Sequence, residues 1–111
     1  MSEYMEQVKF VSWFRKTYPD IKIYHTPNGE KREPRVALKL KNMGVARGIW
    51  DLYVRALNLW IEMKDVEDND LTKEQKEWRD YCQQFGDKFI VGYGFEDAKE
   101  KTLLFLKKGL T

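Results

Sequence analysis

Cysteine and histidine are almost missing from this sequence. A single cysteine, Cys82, leaves no partner for a disulfide within the chain and is typical of a protein from a reducing compartment. The one histidine, His25, cannot form a clustered set of zinc ligands with it. These two shortages argue against a disulfide-stapled scaffold and against a zinc site.

Long apolar runs are absent as well. No uninterrupted apolar stretch approaches the length that spans a membrane, and the first residues do not form a basic segment followed by an apolar one. Neither a Walker-type phosphate loop nor a nucleophile elbow occurs. We therefore expect a soluble, intracellular protein without a membrane partner, and a chemistry other than that of P-loop enzymes or serine hydrolases.

What the sequence does contain is material for one packed domain. Its 111 residues suffice for a single domain, residues 1–111, and are too few for two. Apolar residues make up 42%, with 4 Trp, 6 Tyr and 6 Phe, so a core is available. The order of periodic segments predicts a small mixed sheet between helices, an α/β sandwich, over these elements: helix 2–17, strand 21–25, helix 34–43, hairpin strands 48–54 and 59–64, helix 72–85, strand 88–93 and helix 95–108.

The net charge of +2 hides an uneven distribution. Six bases and one acid lie between Lys31 and Arg47, whereas eight acids and four bases lie between Glu62 and Asp80. A basic segment beside an acidic one suits a protein that grips a polyanion and holds metal ions next to it. The alternative is that both segments are simply solvated helix faces. On the first interpretation the backbone of a nucleic acid would be held by Lys31, Arg32, Arg35 and Arg47.

The predicted hairpin places charges at the end of two apolar strands. Glu62 and Lys64 share a face because strand side chains alternate, and a tight hairpin returns Asp51 to the level of Glu62. Charged groups there are costly unless they are paired or bound to a metal. Carboxylates of Asp51 and Glu62, with the main-chain carbonyl of Met63, form a partial site for Mg²⁺ or Mn²⁺. Such an ion polarises a phosphodiester, and Lys64 is placed to orient or activate a water.

Four other polar residues, Gln75, Glu3, Gln7 and His25, have two interpretations each. Thr72 and Gln75 match a capping box, yet Gln75 also occupies the apolar stripe of its helix and could project towards Glu62. Glu3 and Gln7 lead an otherwise apolar stripe on the first helix, or they are solvated residues of its first turns. His25, at a strand end, is either structural or an accessory to the site.

A set of segments, in chain order, carries a family resemblance: Glu3 and Gln7 before Trp13-Phe14-Arg15; Pro27-Asn28-Gly29; Gly44-Val45-x-x-Gly48-Ile49-x-Asp51-Leu52; Ile61-Glu62-Met63-Lys64; and Leu71-Thr72-x-x-Gln75-x-x-Trp78. Together they resemble the VRR-NUC domain, the virus-type replication-repair nuclease of the PD-(D/E)XK superfamily. One departure is Trp50, where the family often has proline or a small residue.

The resemblance implies a restriction-endonuclease-like three-layer sandwich and assigns roles to residues. Asp51 and Glu62 would be metal ligands, Lys64 the catalytic lysine, and Gln75 and Glu3 the residues that complete the site. Gln7 would stand beside Glu3, and Glu6 is a rival for the role of the first-helix acid.

The chain is also similar to stand-alone phage members of the family, which would place it in a host cytoplasm. The activity implied is a structure-selective DNA endonuclease, with Holliday junctions or other branched DNA as substrate and a homodimer as the active form. The alternative is a non-catalytic DNA-binding or assembly module that keeps the nuclease fold.

Overall fold

A computed structural model describes residues 2–26, 33–65 and 70–109. Its helices and strands follow the predicted order. They are α1 (Glu3–Thr17), β1 (Tyr24–His25), α2 (Pro34–Asn42), β2 (Leu52–Val54), a short 3-10 helix (Arg55–Leu57), β3 (Leu59–Lys64), α3 (Lys73–Gln83), β4 (Lys88–Tyr93) and α4 (Phe95–Gly109). Among the described residues, no helix is long and apolar enough to cross a membrane.

The four strands form one mixed sheet in the order β1-β2-β3-β4. Strand β2 runs antiparallel to both β1 and β3, and β4 runs parallel to β3. Because side chains alternate across β3, Leu59, Ile61 and Met63 join Phe10 and Phe14 of α1 in one core cluster. Trp60 instead packs on the opposite face with residues of α3. The predicted fold, a small mixed sheet flanked by helices, is confirmed.

The site depends on the tight connection between β2 and β3. The 3-10 turn after Val54 ends at Asn58, whose left-handed backbone (φ 50°) lets the chain reverse within four residues. The β3–β4 pair is held just as closely to α4, because a Cβ on Gly92 would stand 2.5 Å from the Cβ of Ala98. Consequently the end of β3 that carries Glu62 and Lys64 is held between the β2 connection on one side and β4, packed on α4, on the other.

Two predicted strands are longer than the observed ones. The first was expected over 21–25, but only Tyr24 and His25 pair with β2. Extending this ladder backwards would bring residue 21 opposite the 3-10 turn, which has no strand edge to offer. The second was expected from Gly48 but begins at Leu52. Before it, Gly48 has φ 87°, and the chain turns towards α3.

Candidate metal centre

Asp51 and Glu62 meet where β2 begins and β3 nears its end. Leu52 pairs with Ile61, so Asp51 stands at the level of Glu62. The main-chain N–H of Asp51 donates to Glu62 Oε1 over 3.1 Å, and the N–H of Met63 donates to Asp51 Oδ2 over 3.1 Å. Each carboxylate is therefore held by a backbone donor from the opposite strand. The expected placement of both acids at one end of the hairpin is confirmed.

Removal from water alters the acidity of both groups. Glu62 is 4% exposed, and burial followed by the nearby charge of Asp51 raises the pKa of Glu62 to about 8. Lys64 and the hydrogen bonds from Asp51 and Gln75 act against this rise. Burial also raises the pKa of Asp51, with the Met63 N–H as the largest opposing influence. A cation shared by the two carboxylates would reverse both shifts, because it stabilises their charged forms.

Lys64 is the buried cation of the site. It is 7% exposed, and its Nζ lies 3.7 Å from Glu62 Oε2. The two side chains leave the same face of β3, as strand alternation predicts. Truncating one partner of a buried ion pair leaves the other uncompensated, so this lysine and the carboxylates act as one electrostatic unit.

Gln75 performs both of the functions that its position in the sequence suggested. Its Oε1 accepts from the main-chain N–H of Thr72 over 2.9 Å. The main-chain N–H of Gln75 in turn donates to Thr72 Oγ1 over 3.1 Å. These two bonds form the predicted capping box of α3. With Oε1 occupied, the amide nitrogen points the other way and donates to Glu62 Oε2 over 2.7 Å. The cap of α3 thus orients a donor at the candidate metal ligand.

Two residues that sequence reasoning did not assign to the site hold the first turn of α3 in place. The indole N–H of Trp50, which is 1% exposed, donates to the main-chain oxygen of Gln75 over 3.0 Å. A Cβ on Gly48 would stand 2.3 Å from the main-chain oxygen of Glu74, so only glycine allows this approach. In the sequence Trp50 stands out only as a departure from the family pattern. Its contact with Gln75 could not be predicted from the sequence.

A cleft of about 810 Å³ opens beside Asp51. Glu3, Gln7 and His25 line it together with Asp51. His25 Nδ1 lies 2.9 Å from the main-chain oxygen of Asp51. Because a carbonyl only accepts, Nδ1 carries the proton, and the ring helps to anchor the residue that bears the carboxylate. Gln7 Nε2 lies 3.3 Å from the same ring nitrogen, but both atoms then carry protons, so this contact is not a hydrogen bond.

The two first-helix acids face different neighbours. Glu3 lines the cleft beside Asp51. Glu6 instead accepts from the main-chain N–H of Phe95 over 3.2 Å and lies 3.7 Å from Lys9, so it is committed to the start of α4. Of the two rivals, Glu3 is the one that the structure brings towards the site.

The predicted nucleic-acid contacts are only partly described. Lys31 and Arg32 lie outside the described residues, as does the Pro27-Asn28-Gly29 segment. Arg35 and Arg47 are both exposed, and Nη2 of Arg35 lies 3.5 Å from Oε1 of Glu33. Their roles remain predictions.

The donor set suits a hard divalent ion. Within residues 2–26, 33–65 and 70–109, no group of three or more His, Cys, Asp or Glu side chains is arranged to hold a metal. Mg²⁺ does not need such a cage, because it commonly binds through one or two carboxylates and keeps several waters. Asp51, which is half-buried, and Glu62, which is buried, meet that requirement with two carboxylates whose pKa values are raised. The ligand role of the Met63 carbonyl remains a prediction.

Comparison with known proteins places this geometry in a fold class. No family model matches the sequence, and no curated protein matches it. Among solved structures, the chain superposes on one described as a "VRR_NUC domain protein", with a TM-score of 0.76 and 23% identity over 96% of this chain and 89% of that one. The resemblance predicted from the motifs is thus confirmed for the fold, that of a VRR-NUC nuclease domain.

Proposed function

We propose that this protein is a divalent-metal-dependent nuclease that hydrolyses phosphodiester bonds in DNA. The observation that carries the proposal is the Asp51–Glu62–Lys64 arrangement, in which a half-buried carboxylate, a buried carboxylate and a buried ammonium group meet at the end of one hairpin. Buried charges of this kind are rarely retained without a use, since an apolar pair of similar volume is often at least as stable. The fold shared with a VRR_NUC domain protein supports the same conclusion.

In this proposal the residues have distinct tasks. Asp51 and Glu62, with the Met63 carbonyl, would hold Mg²⁺ or Mn²⁺, and the bound ion would polarise the phosphodiester. Lys64 orients the attacking water and offsets charge that develops on the phosphoryl oxygens. Gln75 keeps Glu62 Oε2 in one position through its amide N–H.

We further propose the finer activity implied by the family resemblance. The substrate would be branched DNA, such as a four-way junction, and the active form a homodimer. Two identical centres related by a two-fold axis would suit a symmetric junction that must be cut in two strands. Glu3, which lines the cleft beside Asp51, would complete each centre.

The competing function is a DNA-binding or assembly module without catalysis. It shares the fold, and it differs in requiring neither a metal nor Lys64. The complete set of Asp51, Glu62, Lys64 and Gln75, with the contacts described above, favours the nuclease.

The decisive experiment compares cleavage by wild-type protein and two lysine variants. Four-way junction, flap and duplex DNA are incubated with Mg²⁺, with Mn²⁺ or with a chelator. We expect cleavage only with metal, and a loss of about a hundredfold or more for Lys64→Ala. Lys88→Ala is the control, because Lys88 lies exposed on the neighbouring strand. Binding without cleavage by the wild type would establish the module instead. Equal cleavage by Lys64→Ala would refute the proposed catalytic role of the Asp51–Glu62–Lys64 arrangement.

A further inference from the structure

The cleft beside Asp51 extends well beyond the candidate metal centre. One wall is a stripe of α1 side chains at helical spacing, Tyr4, Val8, Val11 and Arg15, and Lys16 also borders it. From Gln7, which lies level with His25 and Asp51, to Arg15 the helix advances by about 12 Å. We refer to this feature as the α1 cleft.

The α1 cleft combines an exposed apolar wall with positive charge. Tyr4 is 73% exposed and Val8 is 45% exposed, so neither contributes much to the core. Arg15 and Lys16 are exposed bases in the last turn of α1. Arg15 donates weakly to the main-chain oxygen of Ile23 over 3.4 Å, which keeps its guanidinium on the cleft side of the helix.

An unpaired nucleotide strand has the complementary chemistry. Its phosphates pair with Arg and Lys, and its bases offer apolar faces that stack on aromatic side chains. In a duplex the base faces are stacked on one another, and the apolar wall would have nothing to contact.

We propose that the α1 cleft binds a single-stranded stretch of nucleic acid next to the scissile phosphate, with a base against Tyr4 and Val8 and a phosphate on Arg15 and Lys16. The position relative to the scissile phosphate depends on the proposed nuclease function. The binding itself does not, and it is tested separately.

The test measures binding by fluorescence anisotropy, with no cleavage step. Labelled single-stranded DNA, blunt duplex and duplex with a single-stranded tail are titrated with protein in the presence of a chelator over a range of salt concentrations. The variant Arg15→Ala/Lys16→Ala is compared with Lys107→Ala/Lys108→Ala. That control removes the same charge from the last turn of α4, which does not border the cleft.

We expect the cleft pair to weaken single-strand binding about tenfold and to lower the salt slope by about 1. The control pair should change affinity by no more than about twofold. Arg15→Lys, which keeps the charge, should retain most of the affinity, which separates phosphate binding from a structural role of the bond to Ile23. Equal losses for both pairs would overturn the proposal.

Tyr4 tests the preference for unpaired bases. Tyr4→Ala should weaken binding of single-stranded and tailed DNA about fivefold and leave blunt duplex unchanged. Tyr81→Ala, an exposed aromatic change on α3 outside the cleft, is the control. An equal effect of Tyr4→Ala on blunt duplex would overturn the single-strand assignment. If the protein shows this binding pattern but never cuts DNA, the proposed nuclease activity is refuted and single-strand binding by the α1 cleft is supported. If it cuts DNA without this binding pattern, the nuclease activity is supported and the binding proposal is refuted.

Discussion

Strand β3 and helix α2 both contain charged and apolar residues, yet the fold buries one and leaves the other exposed. All six residues of β3 are buried, including Glu62 and Lys64. None of the nine residues of α2 is buried, and its apolar Leu38 is 60% exposed. The same residue types therefore stand in two dielectric environments. In β3 a charge changes pKa values and demands partners, whereas in α2 it is solvated and screened.

This difference indicates which element would act on the reacting atoms and which would only attract a nucleic acid. A buried charge acts over a short distance on a defined atom, as Lys64 does on Glu62 Oε2 at 3.7 Å. An exposed base such as Arg35 can only contribute to long-range attraction and to phosphate contacts. Changes in β3 should therefore alter metal binding and pH dependence, and changes in α2 should alter affinity and salt dependence alone.

The largest effect is expected from Glu62→Gln. We expect metal affinity, measured by calorimetry with Mn²⁺, to fall about a hundredfold or more, because even a neighbour that only orients a ligand contributes ten- to a hundredfold. Folding of the metal-free variant should be preserved or improved, since a repelling carboxylate is removed. A large loss of melting temperature without metal would contradict this account.

The same variant should reduce a pH dependence of stability. In the folded protein the pKa of Glu62 is about 8, against an ordinary value of 4.5. Between these values the folded state holds a proton that the unfolded state has released, so the free energy of unfolding falls as pH rises through this window and levels off above it. Asp51, whose pKa is also raised, acts in the same direction. Urea unfolding of metal-free protein at about pH 5, 7 and 9 measures the slope, which should be smaller in Glu62→Gln and when Mg²⁺ is present. A free energy of unfolding that rises with pH between about 5 and 8 would refute this account of Glu62.

A smaller effect separates the two functions of Gln75. Gln75→Ala removes the amide that donates to Glu62 and should lower metal affinity about tenfold. Thr72→Ala removes only the hydroxyl of the cap, so it should destabilise the protein by about 1 kcal/mol and leave metal affinity unchanged. Calorimetry and thermal melting of both variants give the comparison. Equal metal affinities would show that Gln75 serves α3 alone.

Two tryptophans of one aromatic cluster provide a still finer comparison. Trp50→Phe loses the bond to the Gln75 carbonyl, and Trp60→Phe loses a bond of 2.8 Å to Asp87. Each should lower stability by about 1 kcal/mol. Only Trp50→Phe should also weaken metal binding, by about threefold, because it alone releases the turn that carries Gln75. Matching losses of metal affinity would mean that the effect is general softening of the cluster.

The smallest effects belong to α2. Arg35→Ala should change the free energy of unfolding by less than about 0.5 kcal/mol, because the side chain is 91% exposed. It should weaken DNA binding severalfold, uniformly across sequences, and lower the salt slope by about 1. Thermal melting and anisotropy measure the two quantities. A variant as unstable as those of the buried strand would break the comparison between the two regions.

Much of the fold was predictable because its signals are local. The strand over Lys88–Tyr93 and the Thr72–Gln75 cap match the expected residues, since alternation and capping depend only on neighbours along the chain. Strand β1 was overestimated because pairing depends on a partner strand that ends at Val54. The length of a strand thus depends on its pairing partner as well as on its own residues, so the pattern of one segment cannot predict it.

The candidate site divides in the same way. The sequence by itself determined that Asp51, Glu62 and Lys64 share one end of a hairpin, because side-chain alternation and a short turn require it. Only the tertiary structure decided that Gln75 serves a helix cap and a carboxylate at once, that Trp50 and Gly48 hold its turn, and that Glu3 rather than Glu6 faces the cleft. Those facts depend on how α1 and α3 are packed against the sheet, and burial then sets the pKa values that no spacing of residues can encode.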